Sequence, residues 1–211
     1  MSFGASIKRD FTLMAILLIP VAIAINFAGG SLAKTLQLWV FLDSIGTYLV
    51  AMLAGPWIGL VTGVLSVMLL SVGDPTMLPW AGLAGLMGLV VGVLARRGWF
   101  TGWGGTVGGF LVVAAASVLV SAAITTWLFG GFTTSGVSVL TGLIHENTGL
   151  SLFQSVLASH VVGEMLDKAA SVLIAVLVVR AVSDRALLRF PHGEVFVSAR
   201  RKARGGSTVG S

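Results

Sequence analysis

Long apolar runs alternate with short polar interruptions along most of this 211-residue chain. A helix that crosses the hydrocarbon core of a bilayer needs roughly 20 predominantly apolar residues. Measured against that length, the pattern predicts six transmembrane helices, over residues 11–27, 41–54, 57–72, 78–95, 106–129 and 152–182. The second run is short, and the sequence AGP at residues 54–56 separates it tightly from the third, because glycine and proline interrupt helices.

Composition strengthens the interpretation that these runs lie in a membrane. Hydrophobic residues make up 56% of the chain and charged residues only 10%, whereas soluble domains carry about 25% charged residues. The chain has no cysteine, which excludes disulfides and thiolate metal sites. The length suits one compact all-α membrane domain, which we place at residues 1–190. We expect the basic residues that follow, 191–211, to form a disordered cytoplasmic tail.

The distribution of lysine and arginine predicts the orientation. With both termini in the cytoplasm, eleven of the thirteen basic residues lie inside, Lys34 lies outside and Lys168 lies within the last span. The positive-inside rule therefore favours cytoplasmic termini. This bias explains the net charge of +5 without a nucleic-acid partner, and the basic residues 200–204 are also suited to contact anionic membrane lipid. A signal peptide is the alternative interpretation of the first run, but no small-residue cleavage site precedes residue 26.

The two longest connections, residues 28–40 and 130–151, both fall on the predicted external side, whereas the internal links are short. Long connections in compact folds often form lids or binding loops. The asymmetry favours a protein that captures something from the exterior. The alternative is that these connections are simply variable loops.

The last predicted span carries four ionisable residues at its outer end. His160, Glu164, Asp167 and Lys168 follow the spacing i, i+4, i+7, i+8 and therefore share one helical face. Lipid disfavours such a face, so we expect it to point into the bundle or a cavity and to have a function. Lys168 would suit a ligand carboxylate or phosphate, and the two acids would accept hydrogen bonds. The alternative is that Lys168 only forms an internal ion pair with them.

Other polar or aromatic residues map to the same outer level, and each has an ordinary explanation. Asp43 and Asp74 are good helix caps, and Trp80 is a suitable interface anchor or a platform for a ligand ring. Together with the charged face, this set predicts a polar, partly aromatic substrate pocket that is open to the exterior. The further members of the predicted site are Asn26, Asp43, Asp74, Trp80, His145, Glu146 and Asn147.

The chain lacks the common catalytic motifs. It contains no G-x-x-x-x-G-K-[ST] phosphate loop, no H-E-x-x-H and no G-x-S-x-G. An intramembrane protease would need a nucleophile with a positioned base, and the candidates Ser66 and Ser71 are predicted to lie at a different depth from His160. We therefore predict a chain that is not an enzyme and binds no cofactor or metal. No inverted repeat is evident, which weakens the case for a self-contained secondary transporter.

Four segments together resemble a known family. IPVAIAINFAGG, LWVFLDSIGTYLVAMLAGPWIGLVTGVLS, GLMGLVVGVLARRGWF and EMLDKAASVLIAVLVVR are similar to the substrate-binding S components of energy-coupling factor (ECF) transporters. The resemblance covers residues 11–182 and is most specific at residues 41–66. It implies a subunit of the plasma membrane that binds a vitamin or related micronutrient in an outward-facing pocket. It also implies a transmembrane coupling subunit and two ATPase subunits as partners, and these partners hydrolyse the ATP.

The resemblance further implies a docking surface of small residues for the coupling subunit. Ala24 and Ala28 have the spacing A-x-x-x-A but lie near the outer end of the first span. Gly59 and Gly63 offer an alternative surface of small residues, for which ordinary internal packing is the other explanation. Two other functional classes stay open, a stand-alone proton- or ion-coupled carrier and a non-transporting membrane scaffold.

Overall fold

The computed structural model describes residues 3–36 and 38–205, and within them all regular secondary structure is helical. The α-helices are α1 (Phe3–Asp10), α2 (Leu13–Thr35), α3 (Ile45–Ala54), α4 (Pro56–Gly73), α5 (Ala81–Arg96), α6 (Trp103–Phe129), α7 (Gly136–Thr148), α8 (Leu152–Ala181), α9 (Asp184–Leu187) and α10 (Gly193–Gly205). Two 3₁₀ turns, Pro75–Trp80 and Trp99–Thr101, precede α5 and α6.

Within the described residues, four helical segments are long and apolar enough to cross a membrane, which is the length and composition expected of a membrane protein. They are Leu13–Thr35, Pro56–Gly73, Pro75–Arg96 and Trp103–Phe129. The 30-residue helix α8 is longer, but its charged face sets it apart from these four. The 10-residue helix α3 extends only about 15 Å. A helix occurs in each of the six predicted spans, and six crossings stay a prediction.

The short helix α3 lies at the centre of the bundle. It packs against α2, α4, α5 and α8, and eight of its ten residues are buried. It ends at Ala54 because Gly55 has a φ of 104°, in the region that favours glycine. Pro56 then begins α4, where its missing N–H costs nothing. The AGP sequence therefore folds α3 and α4 into a tight helical pair.

Helix α2 is the least covered of the long helices. Only Ala15, Ala22, Asn26 and Ala33 are buried among its 23 residues, and many of its large apolar side chains are exposed. Such a surface is expected to face lipid or a partner in a membrane. Ala24 and Ala28 are exposed on it, so docking at these two residues stays a prediction.

The small residues of α4 are used inside the chain. A Cβ atom on Gly59 would lie 2.7 Å from the carbonyl oxygen of Gly88, and one on Gly63 would meet the backbone of Ala84 even more closely. Helices α4 and α5 therefore approach each other backbone to backbone. The prediction of a partner surface at Gly59 and Gly63 is wrong, because α5 occupies it.

Helices occupy part of both long connections and part of the predicted tail. Helix α2 continues to Thr35 into the first connection, residues 28–40, and α7 fills much of the second, residues 130–151. In the predicted tail, α10 forms a helix whose Phe196 and Val197 are buried. Disorder is therefore wrong for residues 193–205, because this apolar pair packs on the core and leaves the basic residues outside. The prediction for residues 206–211 lies outside the described part of the chain.

Candidate functional site

A cavity of about 340 Å³ lies toward the end of the bundle where α2 and α4 finish and α5 and α7 begin, and α8 lines it with residues 160–168. Ligand pockets in proteins commonly have volumes of about 300–1,000 Å³. The C-terminal turns of α2, the segment 38–44 and the segment 133–136 form its walls. The lining includes charged side chains, a histidine and a tryptophan. These residues are Lys34, Asp43, Asp74, Trp80, His160, Glu164 and Lys168.

Helix α8 contributes the buried charges of the cavity. His160, Glu164 and Lys168 line it from successive turns, as their spacing predicted, and each is less than 5% exposed. Lys168 Nζ lies 2.6 Å from Asp167 Oδ2 and 3.2 Å from Glu164 Oε2. Two carboxylates therefore surround the single ammonium group, which disfavours the predicted pairing of Lys168 with an anionic ligand.

Asp167 does not line the cavity and instead holds the backbone beside it. Its Oδ1 accepts hydrogen bonds from the N–H groups of Phe41 and Leu42 at 2.9 and 2.7 Å. Leu42 has a φ of 52°, an unfavourable conformation for leucine. The carboxylate stabilises this conformation and so positions the adjacent Asp43 at the cavity. The predicted role of Asp167 as a direct ligand contact is therefore corrected to a positioning role.

Three polar atoms of cavity-lining residues make no hydrogen bond within residues 3–36 and 38–205, and of these three only His160 Nδ1 is fully buried. His160 Nδ1 is buried without one, while its Nε2 lies 3.0 Å from Thr125 Oγ1. Glu164 Oε2 accepts from Ser117 Oγ at 2.6 Å and contacts Lys168, whereas Oε1 has no partner. Asp43 Oδ1 accepts from Ser44 Oγ at 3.1 Å and Oδ2 has no partner. Buried polar groups normally are hydrogen-bonded, so the unpartnered Nδ1 of His160 is a candidate contact for a ligand at this wall.

The mouth of the cavity is bridged by an ion pair. Lys34 Nζ at the end of α2 lies 2.5 Å from Asp74 Oδ2, and Thr76 also donates to Asp74. The hydrogen bond from Lys34, followed by that from Thr76, lowers the pKa of Asp74 below its ordinary value. Trp80 stands beside this pair, and its ring stacks on Phe129 with 6.0 Å between centroids and 9° between planes. Asp74 and Trp80 therefore both line the cavity, and contact of either with a ligand stays a prediction.

Asn26 lies outside the cavity and is completely buried. Its Nδ2 donates to Thr47 Oγ1 at 2.8 Å and to Ser66 Oγ at 2.9 Å, and its Oδ1 accepts from the N–H of Gly46 at 2.7 Å. The amide therefore joins α2, α3 and α4, with both of its N–H groups and its oxygen in use. The structure places Asn26 as a structural residue, in place of the predicted ligand contact.

The predicted residues of the second external connection are also separate from the cavity. His145, Glu146 and Asn147 are in the exposed C-terminal part of α7. The side chains of His145 and Asn147 make local contacts to the carbonyl groups of Leu150 and Leu143. It is the chain before α7, residues 133–136, that borders the cavity. The connection therefore reaches the cavity through residues 133–136 and not through the three residues that the sequence analysis selected.

Helix α6 supplies supporting residues that the sequence analysis missed. Ser117 and Thr125 contact Glu164 and His160, and Ser121 lies between them on the same buried face. The spacing of four residues, repeated in an otherwise apolar helix, is a signal that was available in the sequence.

A second buried ionic group, the Asp10 cluster, lies at the opposite end of the bundle and was also missed. It comprises Ser6, Asp10, Trp57, Arg96 and His192. Asp10 is completely buried; its Oδ1 accepts from Arg96 and lies 3.0 Å from His192 Nε2, and its Oδ2 accepts from the N–H of Trp57. Arg96 also donates to Ser6 Oγ. These contacts join α1, α4 and α5 to the segment before α10.

The fold and the cavity define an all-helical membrane protein with a small-molecule-sized site at one end of its bundle. No protein-family model, no curated protein and no solved structure shows a significant match to this chain.

Proposed function

We propose that this chain is the substrate-capture (S) subunit of an ECF-type, ATP-driven importer of the plasma membrane. Its cavity would receive a vitamin or related micronutrient from the exterior. The observation that carries the proposal is the cavity, which is lined by the buried Glu164 and Lys168 of α8 and by His160, whose Nδ1 has no partner among the described residues. Ionisable residues at membrane depth are expensive and usually mark a substrate or ion path.

The proposed topology has six crossings and cytoplasmic termini. In it, α8 crosses the membrane with its charged face covered by α3, α6 and α7, which pack against it. Helix α3 and the segment before it form the remaining, short crossing. Lys34 then lies outside, while Arg96 and the basic side of α10 lie inside, as the positive-inside rule favours.

Different residues of the cavity walls would bind the ligand and hold the binding residues in place. Asp43, His160 and Glu164 would bind the polar groups of the ligand directly, and Trp80 would contact its ring. Lys168 and Asp167 would hold Glu164 and the segment 38–44 in place. The ion pair between α2 and the turn after α4 would close the mouth behind the ligand.

Transport would depend on partner subunits. The chain has no phosphate-binding loop, so a transmembrane coupling subunit and two ATPase subunits would supply the energy. The exposed apolar surface of α2, which includes Ala24 and Ala28, is the place where the coupling subunit would dock. Neither catalysis nor a cofactor of its own is part of this proposal.

The test begins with the detergent-purified chain and mass spectrometry of any small molecule that it carries. That molecule should bind back to the chain alone, and it should enter liposomes only when the coupling subunit, the ATPases and ATP are present. Uptake by the chain alone under a proton gradient would instead support a stand-alone carrier. A chain that binds a protein partner but no small molecule would support a scaffold.

A further inference from the structure

The charges around the cavity do not balance. The carboxylates of Asp43, Glu164 and Asp167 face one ammonium group, that of Lys168. Glu164 and Asp167 both contact Lys168 and exceed its one positive charge by one negative charge, and the acidic side chain of Asp43 lines the same cavity. The ion pair of Lys34 with Asp74 at the mouth is balanced within itself and leaves this excess unchanged. Buried charges without compensation are costly, so an occupant that restores the balance is favoured.

The hydrogen-bonding groups that face the cavity are mostly acceptors, which also favours a ligand that carries positive charge. Ionised carboxylates only accept hydrogen bonds, and Glu164 Oε1 and Asp43 Oδ2 are both unpartnered within the described part of the chain. His160, which is 97% buried, adds an unpartnered Nδ1 that donates or accepts according to its tautomer. Lys168 already faces two carboxylates. A ligand that donates hydrogen bonds is therefore recognised, and a carboxylate or phosphate is repelled.

The size and walls of the cavity exclude a bare metal ion as its natural occupant. In the residues that the structure describes, no group of three His, Asp or Glu side chains is arranged to hold a metal. The volume of about 340 Å³ equals that of roughly ten water molecules at about 30 Å³ each. Trp80 contributes an aromatic wall, and tryptophan is the aromatic side chain that cations prefer.

From the charge balance, the unpartnered acceptors and the aromatic wall, we propose that the cavity selects a ring-bearing organic cation that donates hydrogen bonds to Glu164 and Asp43. This inference rests on the proposed function, because it takes the cavity to be the ligand site. It assigns the positive charge of the ligand to the region between α8 and Asp43, and its ring to the Trp80 wall.

The test uses three probes of similar size and different charge. They are 3-(aminomethyl)pyridine, a cation whose ammonium group donates hydrogen bonds; 3-(hydroxymethyl)pyridine, which is neutral; and nicotinate, an anion. Binding to the purified full chain is measured by calorimetry at probe concentrations up to the millimolar range. We expect the cation to bind about tenfold or more tightly than the neutral probe, as for one hydrogen bond that involves a charged group, and the anion to bind weakest.

Two variants and a matched control test whether the carboxylates of Asp43 and Glu164 cause the preference for the cation. Asp43→Asn and Glu164→Gln each remove one carboxylate charge at the cavity and should each reduce the advantage of the cation about tenfold. Glu146→Gln removes the same charge on the exposed part of α7 and should leave it unchanged. Thermal unfolding verifies that each variant is folded, and either cavity variant alone suffices for the comparison. Equal loss in the control would overturn the proposal, as would nicotinate binding at least as well as the cation, or no binding of the cation to folded protein.

A separate measurement, ATP-dependent uptake by the assembled importer, tests the proposed function. Cation selectivity without ATP-dependent uptake by the assembled importer would overturn the function and leave the charge assignment intact. ATP-dependent uptake of an anionic or neutral micronutrient would overturn the charge assignment and leave the function intact.

Discussion

Asp10 and Glu164 are both buried carboxylates that face a cation, and they lie at opposite ends of the same bundle. Both oxygens of Asp10 are in use, by Arg96 and His192 on one side and the Trp57 N–H on the other. Glu164 uses only one of its oxygens, and a cavity lies beside it. Burial of a charge is therefore a poor guide to a binding site in this protein. Incomplete hydrogen bonding beside open space is the better guide.

Removal of the Asp10 carboxylate, at the end of the bundle opposite the cavity, should have the largest effect on stability. We expect Asp10→Ala to lower the free energy of unfolding by about 3 kcal/mol, because Arg96 and the buried His192 lose their shared partner. Unfolding in detergent, followed by tryptophan fluorescence, measures this loss. Ligand affinity of the remaining folded protein should stay at the wild-type value. Wild-type stability in this variant would contradict the structural role of the Asp10 cluster.

Removal of the Glu164 charge, at the end of the bundle that holds the cavity, should have the opposite effect and lower ligand affinity more than stability. Glu164→Gln keeps the shape of the side chain and a contact to Ser117 but removes its negative charge. Affinity for the co-purified ligand should fall by about 1.5–3 kcal/mol, whereas the free energy of unfolding should change by less than about 1 kcal/mol. Calorimetry and thermal unfolding on the same sample separate the two effects. A loss of stability without a loss of affinity would place Glu164 in the same category as Asp10.

Two substitutions of His160 separate a structural contact from a candidate ligand contact within one side chain. Glutamine approximates the position of Nε2, which contacts Thr125, and asparagine approximates that of the unpartnered Nδ1. We expect His160→Gln to lose about 1 kcal/mol of ligand affinity with little change in stability, and His160→Asn to show the opposite. Paired binding and unfolding measurements test this. The same response in both variants would show that the two ring nitrogens do not have separate roles.

The smallest effect is expected at the mouth. The pKa of Asp74 is lowered when the protein is folded, chiefly by Lys34, so its contribution is present above the unfolded pKa of about 4 and is lost as the pH falls through the folded value. The pair is partly exposed, and we expect Asp74→Asn to cost at most about 1 kcal/mol at neutral pH. Unfolding measured against pH should show that wild type and variant converge in acid. A difference that persists in acid would exclude the ion pair as its cause.

Sequence periodicity was informative where one helix carries the site. The spacing of His160, Glu164 and Lys168 predicted their common face, because helical geometry alone determines it. The same spacing assigned Asp167 to the ligand, and a position at the outer level of the first span assigned Asn26. Neither spacing nor depth shows whether protein atoms already satisfy a polar group. In Asp167 those atoms are backbone N–H groups more than 120 residues away.

The Asp10 cluster was beyond the reach of a local pattern for a similar reason. Asp10 is 86 residues from Arg96 and 182 from His192, and neither separation leaves a trace in helical spacing. Helix α10 was misjudged because its many basic residues suggested a solvated tail. Phe196 and Val197 were enough to bury one side of it.

The hydrogen bonds from the backbone of Phe41 and Leu42 to Asp167 have an evolutionary consequence. Main-chain N–H groups are common to every amino acid except proline, so this attachment does not depend on the side chains that the segment carries. A substitution at position 43 would therefore change the lining of the cavity without releasing the segment from α8. The Asp167 carboxylate thus separates the attachment of this segment from the identity of the side chains that it carries.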